Sequence, residues 1–122
     1  MSTKIFTLQI TSRSPHPGVA VLEMRGSVHA GPDCNLLSQE VDKVIEAKSK
    51  GVVLDLAGVT HIDSAAIGMI VTCFSKVKRS GGMLCLAGAK GMVEGTLKLT
   101  QIDKAIRVFP AASDAADAIL AG

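Results

Sequence analysis

Between Val52 and Phe74 the chain passes from one apolar run, "VVLDLAGV", through a short polar junction into a second apolar stretch. The first run is broken only by Asp55, the pattern of a strand buried on both faces, and such strands belong to parallel sheets covered by helices. The second stretch, from about Ser64 to Arg79, repeats Ile67, Ile70, Val71, Phe74 and Val77 at helical intervals and stops at "SGG" over 80–82. A strand running directly into a long helix leaves few folds open. The chain must cross back over the sheet and lay its next strand parallel to the last.

The rest of the pattern agrees with that constraint. "KIFTLQI" alternates around Ile5, Thr7 and Gln9 and predicts a half-exposed first strand, which the prolines and glycine of "TSRSPHPG" are expected to end. "VAVLEMRGSV" reads as a second strand closed by Gly26. Asp33 is expected to cap a helix whose apolar positions are Leu36, Leu37, Val41, Val44 and Ile45, ending near Gly51. "MLCLAG" predicts a fourth strand, and "GMVEGTLKLTQI" a third helix weakened by Gly95. "AIRVFP" predicts a short fifth strand, and "SDAADAIL" a closing helix capped by Ser113. The expected fold class is therefore α/β: one domain over residues 3–121, with a mixed, mostly parallel sheet of four to five strands and four helices. The first strand is expected to run antiparallel at an edge. At 122 residues one hydrophobic core suffices.

Composition narrows the function. Tyr and Trp are absent and Phe occurs three times, which argues against a single-strand nucleic-acid platform built on base stacking. A net charge of +2 from thirteen basic and eleven acidic residues implies no acidic partner, and the one cluster, "KVKR" over 76–79, suits the C-terminal turn of a helix. The N-terminus lacks a signal-peptide pattern, and the longest apolar run, Ala65 to Phe74, is too short to span a bilayer. A cytoplasmic protein without membrane insertion or direct nucleic-acid binding is expected. Cys34, Cys73 and Cys85 are widely spaced and read as packing residues. His16, His29 and His61 share no ligand spacing with them, so neither a metal nor a cofactor is expected.

Three kinds of chemistry can be weighed against the motifs. His61, Asp63 and Ser64 have the residue types of a hydrolytic triad, but in an extended segment the histidine does not sit between the other two, and the G-x-S-x-G elbow is absent. "GAKGMVEG" over 88–95 offers amides and Lys90, yet its spacing fits neither phosphate-binding fingerprint, and turn geometry explains its glycines. The Asp63–Ser64 pair remains. One of the two is expected to cap the following helix. An exposed serine at a helix start, beside a carboxylate and the small residues "AAIG", also fits a phosphorylation site, where about −1.5 to −2 charges would change a docking face with little effect on the fold.

The stretch from "VVLDLAGVTHIDSAAIGMIV" through "SGGMLCLAG" to "IRVFP" and "SDAADAIL" resembles the STAS domain, most closely that of the bacterial anti-sigma factor antagonists. That family's pattern is an apolar strand and short turn, then Asp-Ser-Ser/Thr-Gly-Leu-Gly, a long helix, a Gly-rich turn, a strand, and an Ile-Arg-Val-Phe tail before an Ala-rich helix. The resemblance implies a binding protein, not an enzyme, with Ser64 the phospho-acceptor and Asp63 its neighbour. Ile67 and Gly68 would begin the switch helix, and Gly26 would correspond to the glycine ending the second strand. The implied partners are an anti-sigma factor with serine kinase activity and a PP2C-type phosphatase. Asp63, Ser64, Ala65, Ala66, Ile67 and His29 form the expected partner-binding set. Ala65 and Ala66 stand where the family has a hydroxyl residue and a glycine, and His29 where many members have an acid. The resemblance also covers a second use: a constitutive scaffold subunit of a lipid-transport or stressosome-like assembly, in which Ser64 only caps the helix.

Overall fold

The computed structural model describes residues 7–122. Its elements are β1 (Leu8–His16), β2 (Val19–Val28), α1 (Pro32–Glu46), β3 (Gly51–Ile62), α2 (Ser64–Arg79), β4 (Met83–Ala87), α3 (Gly91–Leu99), α4 (Ile102–Ala105), β5 (Val108–Phe109) and α5 (Ala112–Ala121). The five strands form one sheet in the order β1-β2-β3-β4-β5. β1 pairs antiparallel with β2, and the remaining pairs are parallel. The expected mixed α/β sheet is present, with the four expected helices and one further short helix, α4.

β3 sits at the centre, as its sequence requires: Val52, Val53, Leu54 and Leu56 are fully buried. Alternate residues face opposite sides of the sheet. Leu22, Leu54 and Leu86 meet Leu37 and Val41 of α1, Ile70 and Cys73 of α2, and Val93 and Leu97 of α3. Val21, Val53 and Cys85 meet Ala112, Ala115 and Ala116 of α5. All three cysteines are free thiols and buried.

Several local expectations fail for identifiable reasons. β1 does not stop at "TSRSPHPG" but continues to His16; residues 4–6 of the expected strand lie outside the described residues. Because β1 is an edge strand, Pro15 is tolerated there, and a register shift between Arg13 and His16 absorbs the irregularity. Gly26 does not end β2 either. It lies within the strand at φ +99°, where an added Cβ would stand 2.1 Å from the Thr7 carbonyl oxygen, so only glycine fits.

Asp33 lies in the first turn of α1, behind the N-cap Gly31, and does not cap. Its buried carboxylate accepts from the His29 N–H at 3.1 Å and from the Thr7 hydroxyl, which fastens the loop before the helix. α1 ends at Glu46, short of Gly51. On α2, Val71 is 43% exposed, and Cys73, fully buried, takes the inward position between Ile70 and Val77. The single helix expected over "GMVEGTLKLTQI" breaks after Leu99, where Gln101 adopts φ +61° before α4. α5 begins at Ala112 with Ala111 at its cap, so Ser113 is inside the first turn and caps nothing.

Candidate functional site at the start of α2

The polar junction after β3 is where three segments meet. Ile62 ends β3 in the core, and Asp63 follows in an extended conformation, φ −102° and ψ 179°. Its Oδ1 accepts from the Ala66 N–H at 2.8 Å, satisfying a donor that the helix itself leaves unpaired. Its Oδ2 accepts from the Ala30 N–H at 3.0 Å and lies 3.7 Å from Nδ1 of His29. One carboxylate therefore joins the β2–α1 loop to the start of α2. The same loop is held from its other side by Asp33 through the His29 N–H.

These contacts fix the charge of the site. The Ala66 N–H, then that of Ala30, hold the Asp63 carboxyl below its ordinary value, with smaller help from His29 and the Ala65 N–H against partial desolvation. Asp63 is anionic at neutral pH.

With Asp63 as the cap, Ser64 has no structural duty. It is the first residue of α2, exposed, and its hydroxyl takes no hydrogen-bond partner among the described residues. Of its expected companions, Ala65 is exposed, whereas Ala66 (0%) and Ile67 (9%) are buried in the core. The accessible face continues instead through Gly68, Val71 and Thr72. An added Cβ at Gly68 would meet nothing within 4 Å among the described residues, so no contact with them demands the glycine. Val71 and Thr72 were assigned no docking role from the sequence; the readable signal was their place about two turns beyond Ser64.

His61 is brought to neither Asp63 nor Ser64. It is exposed, and its Nδ1 lies 3.0 Å from the Thr60 hydroxyl. The triad types do not assemble into a relay. In the "GAKG" turn, Gly88 (φ +74°) packs on Ala57 and Asp55, and Gly91 has φ +59°, so both glycines serve the turn. Among the described residues no group of three or more His, Cys, Asp or Glu could hold a metal ion. No described helix is long and apolar enough to cross a membrane.

A family model described as the STAS domain matches residues 14–115. A Thermotoga maritima protein named as an anti-sigma factor antagonist is 28% identical over 78 residues, a stretch that makes up 64% of this chain and 69% of that protein. Among solved structures, an anti-sigma factor antagonist from Mycobacterium paratuberculosis superposes with a TM-score of 0.78 at 22% identity, over 92% of this chain and 93% of the other. The anti-sigma factor antagonist SpoIIAA in its unphosphorylated form gives 0.72 at 11% identity, over 93% and 99%. The phosphorylated form of SpoIIAA, from Bacillus, gives 0.70 at 9% identity, over 91% and 99%. At these identities the superpositions establish the fold.

Proposed function

The chain belongs to the STAS domain family, and on that premise we propose that it is an anti-sigma factor antagonist switched by phosphorylation of Ser64. The observation that carries this reading is the division of labour at the junction. Asp63 caps the helix and ties down the neighbouring loop, which leaves the Ser64 hydroxyl exposed and without a partner among the described residues, at the head of a smooth face. The likeness to proteins named as anti-sigma factor antagonists supports it.

In this reading the unphosphorylated face of Ser64, Ala65, Gly68 and Val71 docks on an anti-sigma factor that is itself a serine kinase, and the sigma factor is released. The absence of a side chain at Gly68 lets a partner approach the helix closely. The kinase then turns the complex against itself. The Ser64 oxygen attacks the terminal phosphorus of the kinase's ATP, the bond to the ADP oxygen breaks, and the hydroxyl proton passes to a base on the kinase. The helix start tolerates the new anion. Its partner does not, because about −1.5 to −2 charges now stand beside the Asp63 carboxylate on a surface that docking must desolvate. A PP2C-type phosphatase hydrolyses the ester and restores the docking face.

Incubation with candidate kinase anti-sigma factors and ATP, followed by peptide mapping, is expected to find phosphate on Ser64. Its absence with every cognate kinase would overturn the switch. In titration calorimetry Ser64→Ala is expected to bind the kinase and resist inactivation, while Ser64→Asp folds normally and binds poorly. Equal affinities for the two variants would remove charge at this position as the means of release.

A second reading, the non-phosphorylated scaffold subunit, is favoured by Ala65 and Ala66, which replace the family's hydroxyl residue and glycine. The capping duty it gives to Ser64 is performed by Asp63. Recovery of transporter subunits alone in a pull-down would favour it.

A further inference from the structure

Far from Ser64, at the other end of α2, a groove of about 270 Å³ opens between that helix and the α4–β5 segment. Its walls are Phe74, Met83 and Ala105, its floor is Leu84, and Lys78 and Arg107 stand on its rim. Over the sixteen residues of α2, at about 1.5 Å each, the two ends are about 23 Å apart. The groove is thus separate from the Ser64 face.

Three observations describe what would fit it. Both rim cations are held over aromatic rings: the Lys78 Nζ lies 5.9 Å from the centroid of Phe74, and the Arg107 guanidinium 4.8 Å from that of Phe109. Neither is within salt-bridge distance of a carboxylate among the described residues. The floor, moreover, is a buried residue of β4 beyond the reach of the short β5. β5 pairs only with Leu86 and Ala87, so Leu84, which is in register with Val52 of β3 on one side, has no strand paired to it on the β5 side. Gly82 and Met83, which line this groove, also line a second cavity that carries Lys48 and Lys50.

We propose that this groove docks an acidic segment of a partner protein, which sets an apolar side chain between Phe74 and Met83 and its carboxylates against Lys78 and Arg107. Acidic residues match two cations that have no carboxylate partner among the described residues, and an apolar anchor matches the walls. A bilayer would call for a projecting apolar surface, and this one is concave.

The test is fluorescence anisotropy of the full chain with a fluorescein-labelled octapeptide of alternating Glu and Leu, against the same peptide with Lys in place of Glu. The Glu peptide is expected to bind saturably, more weakly as salt rises, and the Lys peptide not to bind. The double variant Lys78→Glu, Arg107→Glu is expected to lose at least tenfold in affinity for the Glu peptide and to gain binding of the Lys peptide, with an unchanged melting curve. Ser64→Asp should bind as the parent does. Should the double variant melt early, Ala105→Gln, which fills the groove from its exposed wall, is expected to give the same loss. Absence of saturable binding, equal affinity in the variants, or adsorption to phosphatidylglycerol vesicles in place of the peptide would overturn the proposal.

Discussion

The two faces of the sheet are filled by different means. On one, Leu22, Leu54, Leu56, Leu84 and Leu86 pack against the branched side chains of α1, α2 and α3. On the other, Val19, Val21, Val53, Cys85 and Ala87 meet the alanines of α5, with Ile119 and Phe109 at the margin. The first face draws its stability from buried area. The second depends on close approach: a Cβ added to Gly51 would lie 2.4 Å from the Ile119 Cγ2 atom, so that glycine is the seat of α5. The contrast explains where a switch can be housed. α2 is anchored by the deeper core, and its outward side is therefore free to be small, polar and chemically modified without loss of the fold.

Variants can break the contrast at either face. Leu54→Ala, at a fully buried position under the helical layer, is expected to cost about 2–5 kcal/mol in urea unfolding, the largest effect among these changes. A loss below about 1 kcal/mol, the scale of a single methylene, would mean that this face is less tightly filled than its burial implies. Gly51→Ala is expected to cost about 1–3 kcal/mol by overpacking, with much of the loss recovered when Ile119→Ala is added. Strict additivity of the two changes would show that contact at α5 is not the cause.

The hold of the cap on α2 can be separated from that of the core by pH. Asp63 has a folded-state value below that of an ordinary carboxylate, so the stability it contributes is full above the ordinary value and is lost as pH falls through the lower one. Asp63→Asn keeps a capping side chain and removes the charge, and its melting temperature is expected to fall less steeply on acidification than that of the parent. Identical acid limbs would assign the dependence to other groups. Smallest of all, Ser64→Ala is expected to change stability by no more than about 0.5 kcal/mol, because the hydroxyl bonds to nothing described. A larger loss would give Ser64 a structural role after all.

The parts read correctly from the sequence are those in which a whole segment repeats one signal. The central strand and the helix after it are examples: a continuous apolar run and a helical stripe each have many residues in agreement. The failures lie where a single residue was asked to decide a boundary. Pro15 reads as a strand breaker, but that holds only for a strand paired on both sides, and β1 is an edge. Ser113 and Asp33 are good capping types, yet the caps fall at Ala111 and Gly31, and Asp33 is drawn to the Thr7 hydroxyl and the His29 N–H. At the site, Asp63 and Ser64 stood out because polar residues interrupted an apolar crossover. Which of them capped the helix was not readable, since both types do so and only the path of the β2–α1 loop decides. Ala66 and Ile67 entered the partner-binding set through the family resemblance, and the helix turns both inward, as the place of Ile67 in the apolar stripe already implied.

The three buried thiols give the molecule internal clocks. Burial pushes Cys73 up to about 11, and it raises Cys34 and Cys85 in the same direction, so none presents a reactive thiolate while the fold is closed. Reaction with an alkylating reagent must wait for an opening, and each cysteine waits for a different one. Cys85 lies under α5, whereas Cys34 and Cys73 lie within the α1 and α2 layer. The relative rates of labelling at these positions time the parting of each layer from the sheet, without a dye or a substitution being introduced.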